Sequence, residues 1–269
     1  MILKTRLFGR SYEFKSVKEV LAKANEYKSG DELAGVSAKN AEERVAAKAV
    51  LSELKLSDLR NNPVVPYEED EVTRIIQDDV NEKIYDEIKN WTVSEFREWI
   101  LSIKTTGEDI KRVSKGLTSE MVAAVTKLMG NMDLVSAASK IRIKKFCNTE
   151  IGGDDILAVR LQPNHTTDDP DGIMLSVYEG LSYGIGDALI GLNPVDDSVD
   201  SVKRVLERFN EIKTKWDIPT QICVLAHVTT QMEAVKQGAP TDLIFQSIAG
   251  SEKGNEAFGI DGKRSEEHT

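Results

Sequence analysis

Cysteine is nearly missing from this chain: Cys147 and Cys223 are the two thiols in 269 residues. They lie far apart and in no metal-ligand spacing, which excludes a disulfide framework and points to a reducing compartment. Positive charge is in deficit, with 35 Lys and Arg against 45 Asp and Glu and a net charge of -10. No basic run interleaved with aromatics is present, so nucleic acid and anionic membrane are not expected partners. Long apolar runs are absent as well. The start "MILKTRLFGR" lacks the apolar centre of a secretory signal, and no stretch reaches the length of a membrane span, so a cytoplasmic protein is expected. Phosphate-cradling glycine loops are missing too: no Gly-x-Gly-x-x-Gly turn follows a strand, and "GSEKG" at Gly250 to Gly254 lacks the P-loop spacing. No Ser-His-Asp or Cys-His arrangement can be assembled from spacing. What remains has the charged and apolar fractions of an ordinary globular protein, long enough for one large domain or two smaller ones.

The pattern divides the chain. Residues 1–150 read as a mainly helical region behind an opening hairpin, "LKTRLFGRSYEFK", whose alternation breaks at Gly9-Arg10. "SVKEVLAKANEYKSG" predicts a helix from a Ser16 cap to a Gly30 stop. "NAEERVAAKAVLSELK" is a strong helix former, "TVSEFREWI" opens on a Thr92 and Glu95 capping box, and "LTSEMVAAVTKLMGN" predicts a helix ending at Gly130-Asn131. The acidic, proline-containing segment "LRNNPVVPYEEDEVTRIIQDD" reads as a solvated loop leading into a helix.

Residues 151–262 change grammar. Short apolar runs, "ILAVRLQ", "GDALIGLN", "TQICVLAH" and "TDLIFQSI", alternate with the helical stretches "PDGIMLSVYEGLSYG", "DSVDSVKRVLERFNEIKTKW" and "TTQMEAVKQG". Strands alternating with helices imply parallel pairing through right-handed crossovers. Asp169 before Pro170 forms a cap and first-turn pair. Each apolar run ends in a hydrogen-bonding side chain: Gln162, Asn193, His227 and Gln246. In parallel α/β folds that end binds ligands, and without a nucleotide fingerprint a barrel is preferred to an open sheet.

Arg160 and Gln162 share strand parity, so both side chains leave one face, where a forked set of donors can hold a small polar molecule. The plainer reading is an Arg paired to a carboxylate. Asn193 before Pro194 is either a ligand or an ordinary Asn-Pro turn, with Gly191 of the same parity leaving room inside. His227 lacks a second metal-binding residue at ligand spacing and reads as a hydrogen-bonded strand-end histidine. His165 is expected to be solvated, and Cys223 to be an inert buried thiol. These residues by themselves lead to a barrel enzyme for a small polar substrate.

The blocks "DELAGVSAKNAEERVAAKAVLSEL", "DLRNNPVVPYEEDEVTRIIQDDVN", "KGLTSEMVAAV", "RLQPN", "YEGLSYGIGDALIGLNPV", "PTQICVLAHVTTQ" and "LIFQSIAGSEKG" resemble the large, catalytic subunit of the ethanolamine ammonia-lyases, in register to about Gly262. "TEIGGDDILAV" departs most from the family pattern. The resemblance implies a (β/α)8 barrel with adenosylcobalamin at its mouth and a carbon–nitrogen lyase that converts ethanolamine to acetaldehyde and ammonia by a radical route. It implies Arg160 as donor to the substrate hydroxyl, Gln162 and Asn193 as ligands near its amino group, and Pro194 and Gln246 as cobalamin contacts. No Asp-x-His-x-x-Gly segment is present, so His227 is not assigned as a cobalt ligand, and no metal-ligating residue is expected. A small subunit, a hetero-oligomer and a bacterial microcompartment follow from the same resemblance.

At about 30 residues per strand-helix unit, residues 151–262 hold about half of such a barrel, and the chain by itself is expected to be inactive. The tail 263–269 is expected to be non-native, because "RSEEHT" back-translates to AGA TCG GAA GAG CAC ACG, a sequencing adapter read in frame. Two alternatives stand beside the enzyme reading: a non-catalytic assembly or interaction fragment, which exposed strand edges disfavour, and a different barrel lyase or aldolase, which would need a strand-end lysine or metal carboxylates.

Overall fold

The opening alternation folds as expected. β1 (Lys4–Leu7) and β2 (Arg10–Glu13) pair antiparallel with Leu7 opposite Arg10. The two-residue turn has φ of 52° at Phe8 and 72° at Gly9, the left-handed pair that matches strand twist. The computed structural model describes residues 1–153 and 157–260, which group into two units: Met1–Ile141 with the segment that begins at Ala249, and Arg142–Ile248. The tail 263–269, Gly262 and the first residue of "ILAVRLQ" lie outside the described residues.

The first unit is a helical layer. α1 (Val17–Lys23) begins at Ser16, whose hydroxyl accepts the Glu19 N–H. It stops at Lys23 rather than at Gly30, and Gly30 falls inside the short α2 (Ser29–Leu33). The physical reason is Asn25, a weak helix former whose amide donates to Asp31 and accepts from Lys127. α3 (Ala41–Glu53) is capped by Asn40, and α4 (Leu56–Arg60) follows. The acidic segment makes one 3-10 turn at Tyr67–Glu69 and then enters α5 (Glu71–Asp78), followed by α6 (Glu82–Ile88). α7 (Val93–Leu101) has the expected capping box: Glu95 N–H donates to Thr92 Oγ1 at 3.1 Å, and Thr92 N–H donates to Glu95 Oε2 at 2.7 Å. α8 (Gly107–Ser114), α9 (Ser119–Lys127) and α10 (Asn131–Lys140) complete the layer. Gly130 caps the start of α10, whereas the sequence pattern had it ending the helix before. Leu51, Leu56, Leu59, Ile88 and Met121 are fully buried in this unit's core.

The second unit opens with a small hairpin, β3 (Lys145–Phe146) with β4 (Glu150–Ile151), and then turns to strand-helix alternation. β5 (Arg160–Leu161), α11 (Pro170–Ser182), β6 (Leu189–Leu192), α12 (Val199–Lys215), β7 (Ile222–Val224) and α13 (Val228–Lys236) follow in order. The strands lie side by side as β5-β6-β7, all parallel, with Arg160 opposite Leu189 and Gly191 opposite Cys223. Leu161, Ile190, Leu192, Ile222 and Val224 share one face and bury it against α11 and α12. Those helices offer Ile173, Val177, Val202, Leu206 and Phe209 at helical spacing.

The fourth apolar run, "TDLIFQSI", forms no strand, although it lies where strand pairing would begin. Asp242 N–H donates to the Ile222 carbonyl, but the Ile222 N–H is taken by the Asp242 carboxylate at 2.9 Å. Further along, Gln231 on α13 accepts the Phe245 N–H and donates to the Phe245 carbonyl. Side chains thus satisfy the backbone groups that a ladder would have used.

α14 (Glu252–Glu256) packs its start against the start of α5 in the first unit. Asp70, the N-cap of α5, also accepts the Glu252 N–H at 2.7 Å, and Glu252 in turn accepts the Glu71 N–H. Burial alone would raise the Asp70 pKa; the N–H groups of Glu252 and Thr73 and the Thr73 hydroxyl hold it below the ordinary carboxylate value. Among the described residues no helix is long and apolar enough to cross a membrane.

Candidate functional site

The period of two puts Arg160, Gly191, Gln221 and Cys223 on the face of β5-β6-β7 opposite the helix-packed core. Arg160 is the polar centre of that face. Its guanidinium donates to the Gly191 carbonyl at 3.4 Å and lies 4.9 Å from the centre of the Phe245 ring. Its Nε is buried without a hydrogen-bond partner. An arginine carries five N–H donors, and this one is held by stacking and one long bond. Among the described residues no ion pair to Arg160 occurs.

Gly191 does not leave an open space. A Cβ there would stand 2.8 Å from Cys223 Sγ and 3.0 Å from the Cys223 carbonyl oxygen, so the close approach of β6 to β7 requires glycine. Cys223 itself is fully buried, and desolvation pushes its thiol up to about 11 against the smaller pull of Arg160. The inert thiol expected from the sequence is what the fold builds.

At the carboxyl ends of the strands the polar residues form a sequence of clamps. Gln162 is exposed, and its carbonyl accepts the Asn164 N–H; the Asn164 side chain accepts the Asn193 N–H at 3.0 Å. Asp168 accepts the N–H groups of Val195 and Asp196, both at 2.7 Å. Asp197 accepts the His227 N–H at 3.0 Å, and Gln246 Oε1 accepts the Val228 N–H at 2.8 Å. The loops after β6 and β7 are therefore pinned by side chains from neighbouring runs.

The predicted site residues fall as follows. Arg160 projects from β5, Gln162 and Asn193 are exposed at the ends of β5 and β6, and Pro194 is half-buried beside Asn193. Gln246 lies at the end of the irregular fourth run with its amide donating to the Ser247 carbonyl. His227 caps α13: Nδ1 accepts the Thr229 N–H and lies 2.7 Å from Thr229 Oγ1. His165, expected to be solvated, is instead half-buried, with Nδ1 accepting the Asp169 N–H and its ring against Gly172. Sequence reasoning missed Asp168 and Gln231. Gln231 was detectable as a polar residue on the buried side of α13, three residues before the buried Ala234. Asp168 carried no signal, because its partners lie 27 and 28 residues away. Among the described residues, no group of three or more His, Cys, Asp or Glu side chains is placed to hold a metal ion.

Parallel strands covered by helices on one face, with polar groups gathered at their carboxyl ends, define an α/β protein whose polar edge lies at the end where such folds bind ligands. The sequence narrows the class. Residues 12–269 match the family model described as the ethanolamine ammonia lyase large subunit (EutB), and the chain belongs to that family. It is 58% identical over 261 residues to the ethanolamine ammonia-lyase large subunit of Escherichia coli (strain K12), and equally so to that of Salmonella typhimurium (strain LT2). Each alignment covers 97% of this chain, which spans 58% of the length of either relative.

Proposed function

We propose that this chain is part of the large subunit of an ethanolamine ammonia-lyase and that its β5-β6 edge holds ethanolamine. The observation that carries this reading is Arg160, a guanidinium stacked on Phe245 with one long hydrogen bond to Gly191 on the sheet face opposite the helix-packed core, in a chain of this family. Arg160 donates to the substrate hydroxyl, while the amide oxygens of Gln162 and Asn193 receive the amino group. The strand anchors both ends of a small molecule within the tolerance that hydrogen transfer needs.

The group that would complete the chemistry is adenosylcobalamin. Exposed apolar side chains lie where a broad ligand would cover them: Val195, next to Pro194, is 67% exposed and Ile248, two residues past Gln246, is 71% exposed. Pro194 and Gln246 would contact it, Gln246 through the part of its side chain not committed to Val228 and Ser247. When bound, the cofactor supplies the radical that removes hydrogen from the substrate. The chain's own part is to bind, orient and exclude water. A partial (β/α)8 barrel, completed by the remaining length of the subunit, a small subunit as partner in a hetero-oligomer, and a cytoplasmic site within a microcompartment accompany this reading.

The test is acetaldehyde formation by the full-length subunit with its small subunit and adenosylcobalamin, compared with Arg160→Ala. Removing a charged hydrogen bond worth about 1.5–3 kcal/mol lowers kcat/KM by about 10- to 100-fold. Unchanged kcat/KM in the variant removes Arg160 from the site, and no acetaldehyde from the unsubstituted enzyme removes the proposal.

A further inference from the structure

The loop that carries Asn193 and Pro194 connects β6 to α12 and has no regular structure of its own. The backbone donors of residues 193–196 are nonetheless all spoken for. Asn193 N–H goes to the Asn164 side chain, Pro194 has no N–H, and Val195 and Asp196 both donate to one oxygen of Asp168 at 2.7 Å. Every donor from 193 to 196 is thus received by the preceding strand-end loop, and none by the loop's own neighbours.

Asp168 is built for this. It is 3% exposed and holds a left-handed φ of 50°, a conformation uncommon for residues other than glycine but one that Asp adopts more readily than most. Two successive N–H groups converging on one carboxylate oxygen form a backbone nest, in which an anionic acceptor binds more strongly than a neutral one. The second oxygen, Oδ1, is buried without a partner, so an unsatisfied atom is retained beside these two contacts.

We infer that Asp168 is a positioning residue that fixes the backbone at Asn193 and Pro194 for ligand binding, acting through those two N–H bonds and touching no substrate itself. The role it serves rests on the reading of Asn193 as a substrate ligand.

Two measurements test it. The first needs no activity: hydrogen exchange of the Val195 and Asp196 amides in Asp168→Ala and Asp168→Asn. Exchange rises at least about 10-fold in the alanine variant and by less in the asparagine variant, with the Val202 and Phe209 amides of α12 unchanged. Unaltered exchange at 195 and 196 overturns the inference, and if the alanine variant does not fold the asparagine variant decides. The second is kcat/KM for ethanolamine in the full-length subunit with its small subunit and cofactor. Asp168→Asn lowers it about 10-fold in the natural background and less than about 3-fold beside Asn193→Ala, because coupled residues are not additive. Equal losses in both backgrounds overturn the inference, since a general loss of stability would act alike in each. Absence of turnover in the unsubstituted enzyme defeats the ethanolamine reading instead, and amide exchange still decides the role of Asp168.

Discussion

Cys223 and Cys147 are the same residue type in opposite settings, one buried in β7 and the other exposed in the β3-β4 turn. Because burial pushes the Cys223 thiol up to about 11, its thiolate fraction stays small through pH 9. Iodoacetamide at pH 8 is therefore expected to label Cys147 alone in the folded chain, as read by peptide mass spectrometry; labelling at Cys223 would show that the sheet face opens. Asp242 illustrates the reverse balance. Burial would raise its pKa, but the Lys213 ammonium at 2.6 Å, the Asn148 amide and the Ile222 N–H keep it below the ordinary 3.8. A depressed folded-state value contributes stability that is complete above the unfolded value and is lost as pH falls through the folded one. Urea midpoints of the chain are expected to fall below about pH 4, and less steeply in Asp242→Asn; parallel pH profiles would exclude Asp242 as a source.

The β6-β7 contact makes its prediction at the scale of elements. Gly191→Ala places a methyl group against both a side chain and a carbonyl of β7. Overpacking of this kind costs about 1–3 kcal/mol, measurable by urea unfolding. Gly191→Ala with Cys223→Ala recovers part of that loss, because the sulfur contact is relieved and the backbone oxygen at 3.0 Å remains. Full recovery would locate the crowding in the sulfur alone. The fourth apolar run shows the limit of pattern reading at this scale: its residues are strand formers, yet Asp242 and Gln231 take its partners. The α7 capping box was legible because both partners lie within four residues.

Within the first unit, the reciprocal caps of α5 and α14 join residues about 180 positions apart. Asp70→Ala removes the acceptor for Thr73 N–H, the Thr73 hydroxyl and Glu252 N–H together. A lost cap costs about 0.5–2 kcal/mol. The expected result is faster proteolytic cleavage within 249–260 at unchanged cleavage elsewhere; uniform protection would mean that the segment is held by Asn255 and its own turn. At this scale the sequence registered a change of grammar near residue 150 but not the grouping of the segment after Ala249 with the helical layer. That grouping depends on hydrogen bonds no local pattern announces.

The sequence by itself determined the elements whose forces are local: an opening hairpin, though its turn falls at Phe8-Gly9 and not Gly9-Arg10, the caps at Ser16, Thr92 and Asp169, and the strand-helix alternation that ends in polar residues. It also marked Arg160 by parity, since period two fixes which side chains share a face. Tertiary structure decided where the partners are. Only the folded chain brings Phe245 beneath Arg160, closes Gly191 onto Cys223 and sets Asp168 under the Asn193 loop. The physical reason is separation along the chain: caps and turns are settled by residues three or four apart, whereas a donor and an acceptor 27 or more positions apart leave no mark in sequence until the strands between them have paired.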